Sequence, residues 1–252
     1  MLANKVTLIL GGTRGIGFAT AKKFVENNAK QVIVTGTNPR SIDKASKLLP
    51  KAQFIQSDMS DPVQTRVIFK QVIEEHGSLD VVFVNAGIAE PGAATECTEA
   101  AFDKQSNLNF KGAFFAGQAA GKYMTPRGSL IYVSSVAGFM GIDKNISVYS
   151  ATKAAVISLG KTLAAEYSKI PLRVNVISPG YIETELSKRN NAADYSEVCE
   201  SIPLEQRFGT TEELAEAALF LASNRSSYIT GVNLPVDGGY SSITPAGPRP
   251  KL

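Results

Sequence analysis

The chain has 252 residues, of which 44% are hydrophobic, 19% charged and 8% aromatic, and its 26 Lys+Arg against 23 Asp+Glu leave a net charge of +3. That balance excludes disordered and collagen-like chains, and without a block of like charge it gives no support to a nucleic-acid or membrane-surface partner. No apolar run reaches the ~18 residues of a spanning helix, Met1 to Lys5 precede a strand-like stretch without a signal-peptide core, and Cys97 and Cys199 have neither disulfide-framework nor metal-ligand spacing, so a cytoplasmic protein without a metal is expected.

In chain order, short β-branched runs alternate with longer helical patterns, the form that repeated βα units give around a parallel sheet. Strands are predicted at Val6–Leu10, Gln31–Gly36, Ala52–Gln56, Val81–Val84, Ser129–Ser134, Arg173–Ile177 and Val232–Val236. Helices are predicted at Ile16–Asn27, Arg40–Leu49, Pro62–His76, Glu99–Met124, Tyr149–Tyr167 and Glu212–Ala222. Nearly continuous apolar strands such as Val81-Val-Phe-Val84 suit a sheet covered on both faces, so the expected fold class is α/β, a doubly wound Rossmann-like sheet in one domain over 1–252. The long stretch from about 180 to 211 is expected to be a substrate lid with short helices of its own, and the proline-rich tail from about 243 to 252 to be loosely held.

Three constellations carry chemistry. The first is Gly11-Gly-Thr13-Arg14-Gly15-Ile16-Gly17, where a strand enters a glycine-rich turn that opens a helix. Such a turn lets backbone approach a pyrophosphate, which the helix N-terminus then attracts. The second follows the next strand, where no acid appears before Asp43; Arg14 and Arg40, with Thr13, Thr37 and Asn38 as neutral donors, favour the ribose phosphate of NADP over the bare ribose of NAD. The third is Tyr149-Ser-Ala-Thr-Lys153, in which helical spacing places an ammonium beside a phenol and favours the phenolate, with Ser135 at a strand end able to bond the same carbonyl oxygen. Of eight tyrosines only Tyr149 has a lysine four residues on. Gly11, Thr37, Asp58, Asn85, Ser135 and Pro179 each stand just past a different predicted strand, at the edge where open parallel sheets bind ligands.

These residues resemble the short-chain dehydrogenase/reductase family, in its single-domain form of roughly 250 residues. The resemblance runs from about residue 5 to 241 and rests on Gly11-x-x-x-Gly15-Ile-Gly17, Asp58, Asn85-Ala-Gly87, Asn109, Ser135, Tyr149-x-x-x-Lys153, Pro179-Gly180 and Val236-Asp-Gly-Gly239. It implies a seven-stranded sheet of order 3-2-1-4-5-6-7 and hydride transfer between a nicotinamide and a carbonyl or alcohol carbon. Carried onto this sequence, it makes Tyr149 the general acid, Lys153 the residue that lowers its pKa and holds the nicotinamide ribose, Ser135 the polariser of the carbonyl, and Asn109 the holder of a water leading to Lys153. Asp58 and Met59 match the adenine contact, Asn85, Ala86 and Gly87 the adenosine-side wall, and Pro179, Gly180, Ile182 and Thr184 the nicotinamide side. A homotetramer, or a homodimer, is implied by resemblance alone, through the small-residue helix faces 112–121 and 151–160.

Departures from the family pattern are Leu10 for a threonine, Val84 for the first of two asparagines, and a Ser135–Tyr149 spacing one residue longer than usual, which should bulge the 138–143 loop. Ser134 is the fallback for Ser135. Phe139, Met140 and Tyr181, with Ser135 and Tyr149, are the expected substrate contacts, and their apolar character points to a prochiral aryl or aliphatic ketone. The reading is an NADPH-dependent carbonyl reductase; the alternatives are a 3-oxoacyl-[acyl-carrier-protein] reductase and a catalytically silent NADP(H)-sensing protein. His76, the only histidine, reads as a helix end capped by Gly77, which rules out a Ser-His-Asp hydrolase, and Lys188-Arg189 and Cys199 read as solvated loop and incidental thiol.

Overall fold

A computed structural model describes residues 1–184, 187 and 195–243. Its strands are β1 (Val6–Leu10), β2 (Gln31–Gly36), β3 (Gln53–Gln56), β4 (Val81–Val84), β5 (Ser129–Val133), β6 (Arg173–Pro179) and β7 (Asn233–Val236). All pair in parallel, in the order β3-β2-β1-β4-β5-β6-β7, with registers such as Leu8↔Ile33 and Leu8↔Val82. Because alternate residues of a strand face opposite sides, each strand feeds two cores. Leu8, Leu10, Val82 and Val84 pack on one face with Phe69, Ala116 and Leu163, while Ile9, Val81, Phe83 and Ile131 pack on the other with Phe24, Leu214 and Ala218.

The helices that supply those residues are α1 (Gly15–Glu26), α2 (Pro39–Leu48), α3 (Pro62–His76), α4 (Glu99–Ser106), α5 (Ala113–Tyr123), α6 (Ser147–Glu166), α7 (Tyr195–Glu200) and α8 (Thr211–Ala222). Their ends follow local chemistry. Asn38 and Asp61 cap α2 and α3 with side-chain oxygens ahead of a first-turn proline, and Gly77 closes α3 at φ 76°. His76 at that end meets Gln53 across to β3. Thr210 and Glu213 form a reciprocal capping box on α8, and Arg207 grips the same carboxylate, holding Glu213 down at about 2.

Most element ends fall within two residues of the sequence reading, and two departures bear on the site. The predicted helix Glu99–Met124 is broken by a π-helical segment, Asn107–Gly112, between α4 and α5. Periodicity does not reveal a π turn, which adds a residue without changing the apolar character of the face. Gly112 marks the reason for it: a Cβ there would lie 2.6 Å from the Met59 carbonyl oxygen, so the segment passes against the chain leaving β3. Strand β6 runs two residues further than predicted, so Pro179 is its last residue and not a loop position; it pairs with Val236 at the open end of β7. In the lid region α7 is a short helix as expected, whereas the lid residues 185, 186 and 188–194, with Lys188 and Arg189, and the tail 244–252 lie outside the described residues.

Three glycines of the small-residue faces of α5 and α6 are packed from within the chain, while Ala151 and Ala154 are exposed. Gly117 lies against the Tyr132 hydroxyl and Leu163, Gly121 against the Tyr167 ring, and Gly160 against Val176. Gly117→Ala should therefore overpack the buried Tyr132, costing about 2 kcal/mol, and thermal denaturation should show Tm lower by roughly 4–8 °C; an unchanged Tm would mean that the α5–β5 contact can open at no cost.

Candidate active site

The carboxyl ends of the strands open into one cavity of about 880 Å³, ample for a dinucleotide and a small substrate together. At one end is the glycine turn. Gly11 has φ +82°, and a Cβ on it would lie 2.7 Å from Ala86; Gly17 presses on the Gly11–Gly12 backbone. The turn is held from below by Thr35, whose carbonyl accepts from Gly11 and Gly12 N–H at 3.2 and 3.0 Å, and from the side by Asn85, whose Nδ2 donates to the Gly11 carbonyl at 2.5 Å. Arg14, the N-cap of α1, offers no side-chain acceptor, and the first turn contains no acid, so the positive end of α1 faces the cavity uncompensated. These glycine contacts and the uncapped helix end fit a pyrophosphate.

At the other end lie the groups able to move a proton. Lys153 is only 4% exposed; its Nζ donates to the Val133 carbonyl at 3.0 Å, and burial pushes its pKa down to about 8. The ammonium stands 5.6 Å from the centre of the Tyr149 ring. Burial raises the pKa of the Tyr149 hydroxyl, and a hydrogen bond from Ser135 opposes that rise. Ser135 thus favours the phenolate by a hydrogen bond, and Lys153 stands beside the ring as a second group placed to do so. Desolvation acts on both members of the Tyr–Lys pair, raising the phenol and lowering the amine. Ser135 Oγ accepts from Ala137 N–H at 3.2 Å, which leaves its proton for Tyr149 or a ligand oxygen. Ser134 is no rival, since its hydroxyl donates to the Lys153 carbonyl at 2.7 Å.

Asn109 sits in the π segment, 2% exposed, with Oδ1 accepting from Ile88 N–H and Nδ2 donating to the Ile88 carbonyl, both at 2.9 Å. It lies behind the cavity wall and not on it. Asp58 Oδ1 accepts from both the amide and the hydroxyl of Ser60 at 2.8 Å, and with Met59 it lines the cavity beside Thr37. Thr13, Gly15, Ile16, Ala86, Gly87, Gly180, Tyr181, Ile182 and Thr184 also line it. Thr184 hangs 3.6 Å from where a Gly15 Cβ would be, and Asp237, bonded to Gly239 and Ser241 N–H, backs Gly180.

Some expected positions fall elsewhere. Gly17 supports the turn without lining the cavity. Neither Asn38 nor Arg40 lines it; the Asn38 oxygen is spent on capping α2, and Arg40 is exposed in that helix's first turn. Phe139 and Met140 do not line it either, and Phe139 is 45% exposed. The 138–146 loop brings Ile142 and Ile146 to the cavity in their place, joined by Pro91 and Leu108. Loop geometry set that outcome: Asn145 takes φ 53°, and its carbonyl accepts from Gly92 N–H at 2.8 Å. Sequence reasoning had no signal for this contact.

Fold and site together define an α/β protein whose cavity joins a glycine turn fit for a dinucleotide to Ser135, Tyr149 and the buried Lys153. The profile of a family described as enoyl-(acyl carrier protein) reductase matches residues 11–241. A 3alpha-hydroxysteroid dehydrogenase of Mediterraneibacter gnavus is 37% identical over 96% of this chain and 99% of its own length. The sorbose reductase sou1 of Schizosaccharomyces pombe is 38% identical over 96% and 97%. A solved short-chain dehydrogenase/reductase of Serratia marcescens superposes with a TM-score of 0.89 at 27% identity, over 96% of this chain and 99% of its own. The chain belongs to the short-chain dehydrogenase/reductase family and is an oxidoreductase acting on CH-OH/C=O groups. No helix among the described residues is long and apolar enough to cross a membrane.

The buried lysine gives a pH signature. Between about 8, where folded Lys153 titrates, and 10.5, its unperturbed value, the folded chain binds fewer protons than the unfolded one, so this group's cost to stability is full below pH 8 and fades as pH rises towards 10.5. Urea unfolding across that range should show wild type gaining stability relative to Lys153→Met; parallel curves would mean that the amine is not desolvated.

Proposed function

We propose that the protein is an NADPH-dependent carbonyl reductase, with Tyr149 as general acid. The observation that carries this reading is the convergence, in one cavity, of Ser135, Tyr149 and the desolvated Lys153 with the glycine turn and Arg14. When bound, a reduced nicotinamide supplies hydride to the carbonyl carbon. The Tyr149 hydroxyl delivers its proton to the oxygen on which charge develops, while the Ser135 hydroxyl, released from Tyr149, donates to the same oxygen. Lys153, charged below about pH 8, stabilises the phenolate that remains. Ser135, Tyr149 and Lys153 share one cavity with Asn109 directly behind its wall, which favours chemistry over silent sensing of NADP(H).

Preference for NADP(H) rests on charge. The chain leaving β2 carries no carboxylate, and the first acid, Asp43, is turned to Lys47 on the surface of α2 at 2.7 Å. Arg14 lines the cavity exposed, with Thr13 and Thr37 beside it. A charge-assisted bond to a ribose phosphate is worth about 1.5–3 kcal/mol, so Arg14→Ala should weaken NADPH roughly 10- to 100-fold and NADH by no more than about threefold. Arg40→Ala, outside the cavity, should do less. Equal losses for both cofactors, read by fluorescence titration, would remove the argument.

For the substrate, Ile142, Ile146, Leu108 and Pro91 favour a prochiral aryl or aliphatic ketone. The relatives' names pull in different directions, a steroid, a sugar and a carrier-bound 3-oxoacyl group, and do not decide it. The second reading, reduction of a 3-oxoacyl thioester on an acyl carrier protein, is favoured by relatives such as the 3-oxoacyl-[acyl-carrier-protein] reductase FabG of Thermotoga maritima, 36% identical over 94% of this chain. A panel of aryl ketones, diketones, sorbose and an acetoacetyl thioester, followed at 340 nm with NADPH and NADH, separates them. Ketones should lead and Tyr149→Phe should abolish turnover; a thioester far ahead of free ketones would install the second reading.

A further inference from the structure

Helix α6 starts at Ser147 with Ile146 as its N-cap, so Tyr149 stands in a first turn that no side-chain cap secures. What secures it comes from within. The buried Thr152 donates its hydroxyl to the Tyr149 carbonyl at 2.7 Å and accepts from Asn109 Nδ2 at 3.2 Å. A hydroxyl has one proton, and with that proton committed to Tyr149 its oxygen faces Asn109 as an acceptor. The Asn109 amide is in turn closed on both edges by the backbone of Ile88. One chain of bonds therefore runs from the segment leaving β4, through the π segment, to the turn that carries Tyr149. The same cluster abuts the amine: a Cβ on Gly87 would lie 3.2 Å from Asn109 Oδ1 and 3.3 Å from Lys153 Nζ. A threonine back-bonding along its own helix is ordinary; the bond from Asn109, in another element, is what makes this one a tether.

We propose that Thr152 is a positioning residue for the reduction, whose hydroxyl fixes the Tyr149 turn against Asn109 and so sets the Tyr149 hydroxyl relative to Lys153. The proposal rests on the reductase reading above. Its test compares Thr152→Val, which keeps the shape and loses both bonds, Thr152→Ser, which keeps both, and Thr152→Ala, a smaller hydroxyl-free side chain should valine fail to fold. Two readouts are taken: kcat and KM with NADPH and the fastest ketone, and ionisation of Tyr149 by ultraviolet difference titration, isolated with Tyr149→Phe. Thr152→Val should lose roughly tenfold or more in kcat with KM within about twofold, in line with the cost of small misplacements, and its Tyr149 titration should move. Thr152→Ser should stay within about threefold and titrate as wild type. A hydroxyl-free variant with wild-type kcat and titration, whatever its Tm, overturns the proposal, as does a serine variant as damaged as valine. If the wild type turns over no carbonyl, the reductase reading fails by itself, and an unmoved titration in Thr152→Val would still count separately against the tether.

Discussion

An ammonium buried to 4% exposure and held by a backbone carbonyl is a costly feature, and the architecture around it makes it tolerable. The carbonyl belongs to Val133, the last residue of β5, so the strand end that would otherwise present an unpaired acceptor to the cavity is satisfied by Lys153. The turn after it is braced on the same helix: a Cβ at Gly138 would lie 2.8 Å from the Lys153 carbonyl carbon, and Ser134 bonds that residue's carbonyl oxygen. Strand β5, its exit turn and helix α6 are thereby fixed as one block. In the proposed reaction that cost has a chemical use, since a lysine pushed down to about 8 by burial would exchange its proton near neutrality while the adjacent phenol, pushed up, retains one to donate.

The cofactor end is governed by the opposite condition, closeness in place of burial. Gly11 must admit Ala86, Gly36 must admit the Thr13 methyl 2.5 Å from where its Cβ would be, and Gly180 must admit Asp237. Each contact brings together segments leaving different strands, β1 with β4, β2 with the glycine turn, β6 with β7. Parallel pairing delivers all of those exits to one edge, and the missing side chains let them approach until their backbones form a wall. The helix dipole of α1 then acts at short range, where it is worth most.

Much of this was legible in the sequence because the features are one-dimensional. The seven strands read as β-branched runs, and β1, β2 and β4 begin and end where expected because Gly and Asn stop them. The Tyr149–Lys153 pair is a helical spacing, and Asn85 and Asp237 belong to motifs that stay contiguous. What was not legible depends on three-dimensional choice. Whether Asn38 turns to a ligand or caps α2 is decided by the local backbone, because its Oδ1 accepts from Arg40 and Ser41 N–H and so holds the side chain over the helix end. Phe139 was favoured by hydrophobicity, yet its direction follows from how the 138–146 loop is bent. The sign of the environment at Tyr149 was hidden too, because spacing shows which charges are near and says nothing of how much water is removed.

The division between frame and loop explains how chains that share this site differ in what they reduce. The frame, from Gly11 to Lys153, is specified by backbone contacts that tolerate few side chains, and its chemistry needs only a carbonyl oxygen within reach of Tyr149 and Ser135. The remainder of the substrate meets residues whose placement hangs on the Gly92 amide to Asn145 carbonyl bond and on the left-handed turn at Asn145. That loop runs between two separately held anchors, since Ser135 is bonded by Ala137 N–H on one side and Tyr149 is carried by helix α6 on the other. A loop between fixed anchors can change without moving them, and this one supplies Ile142 and Ile146 to the cavity wall.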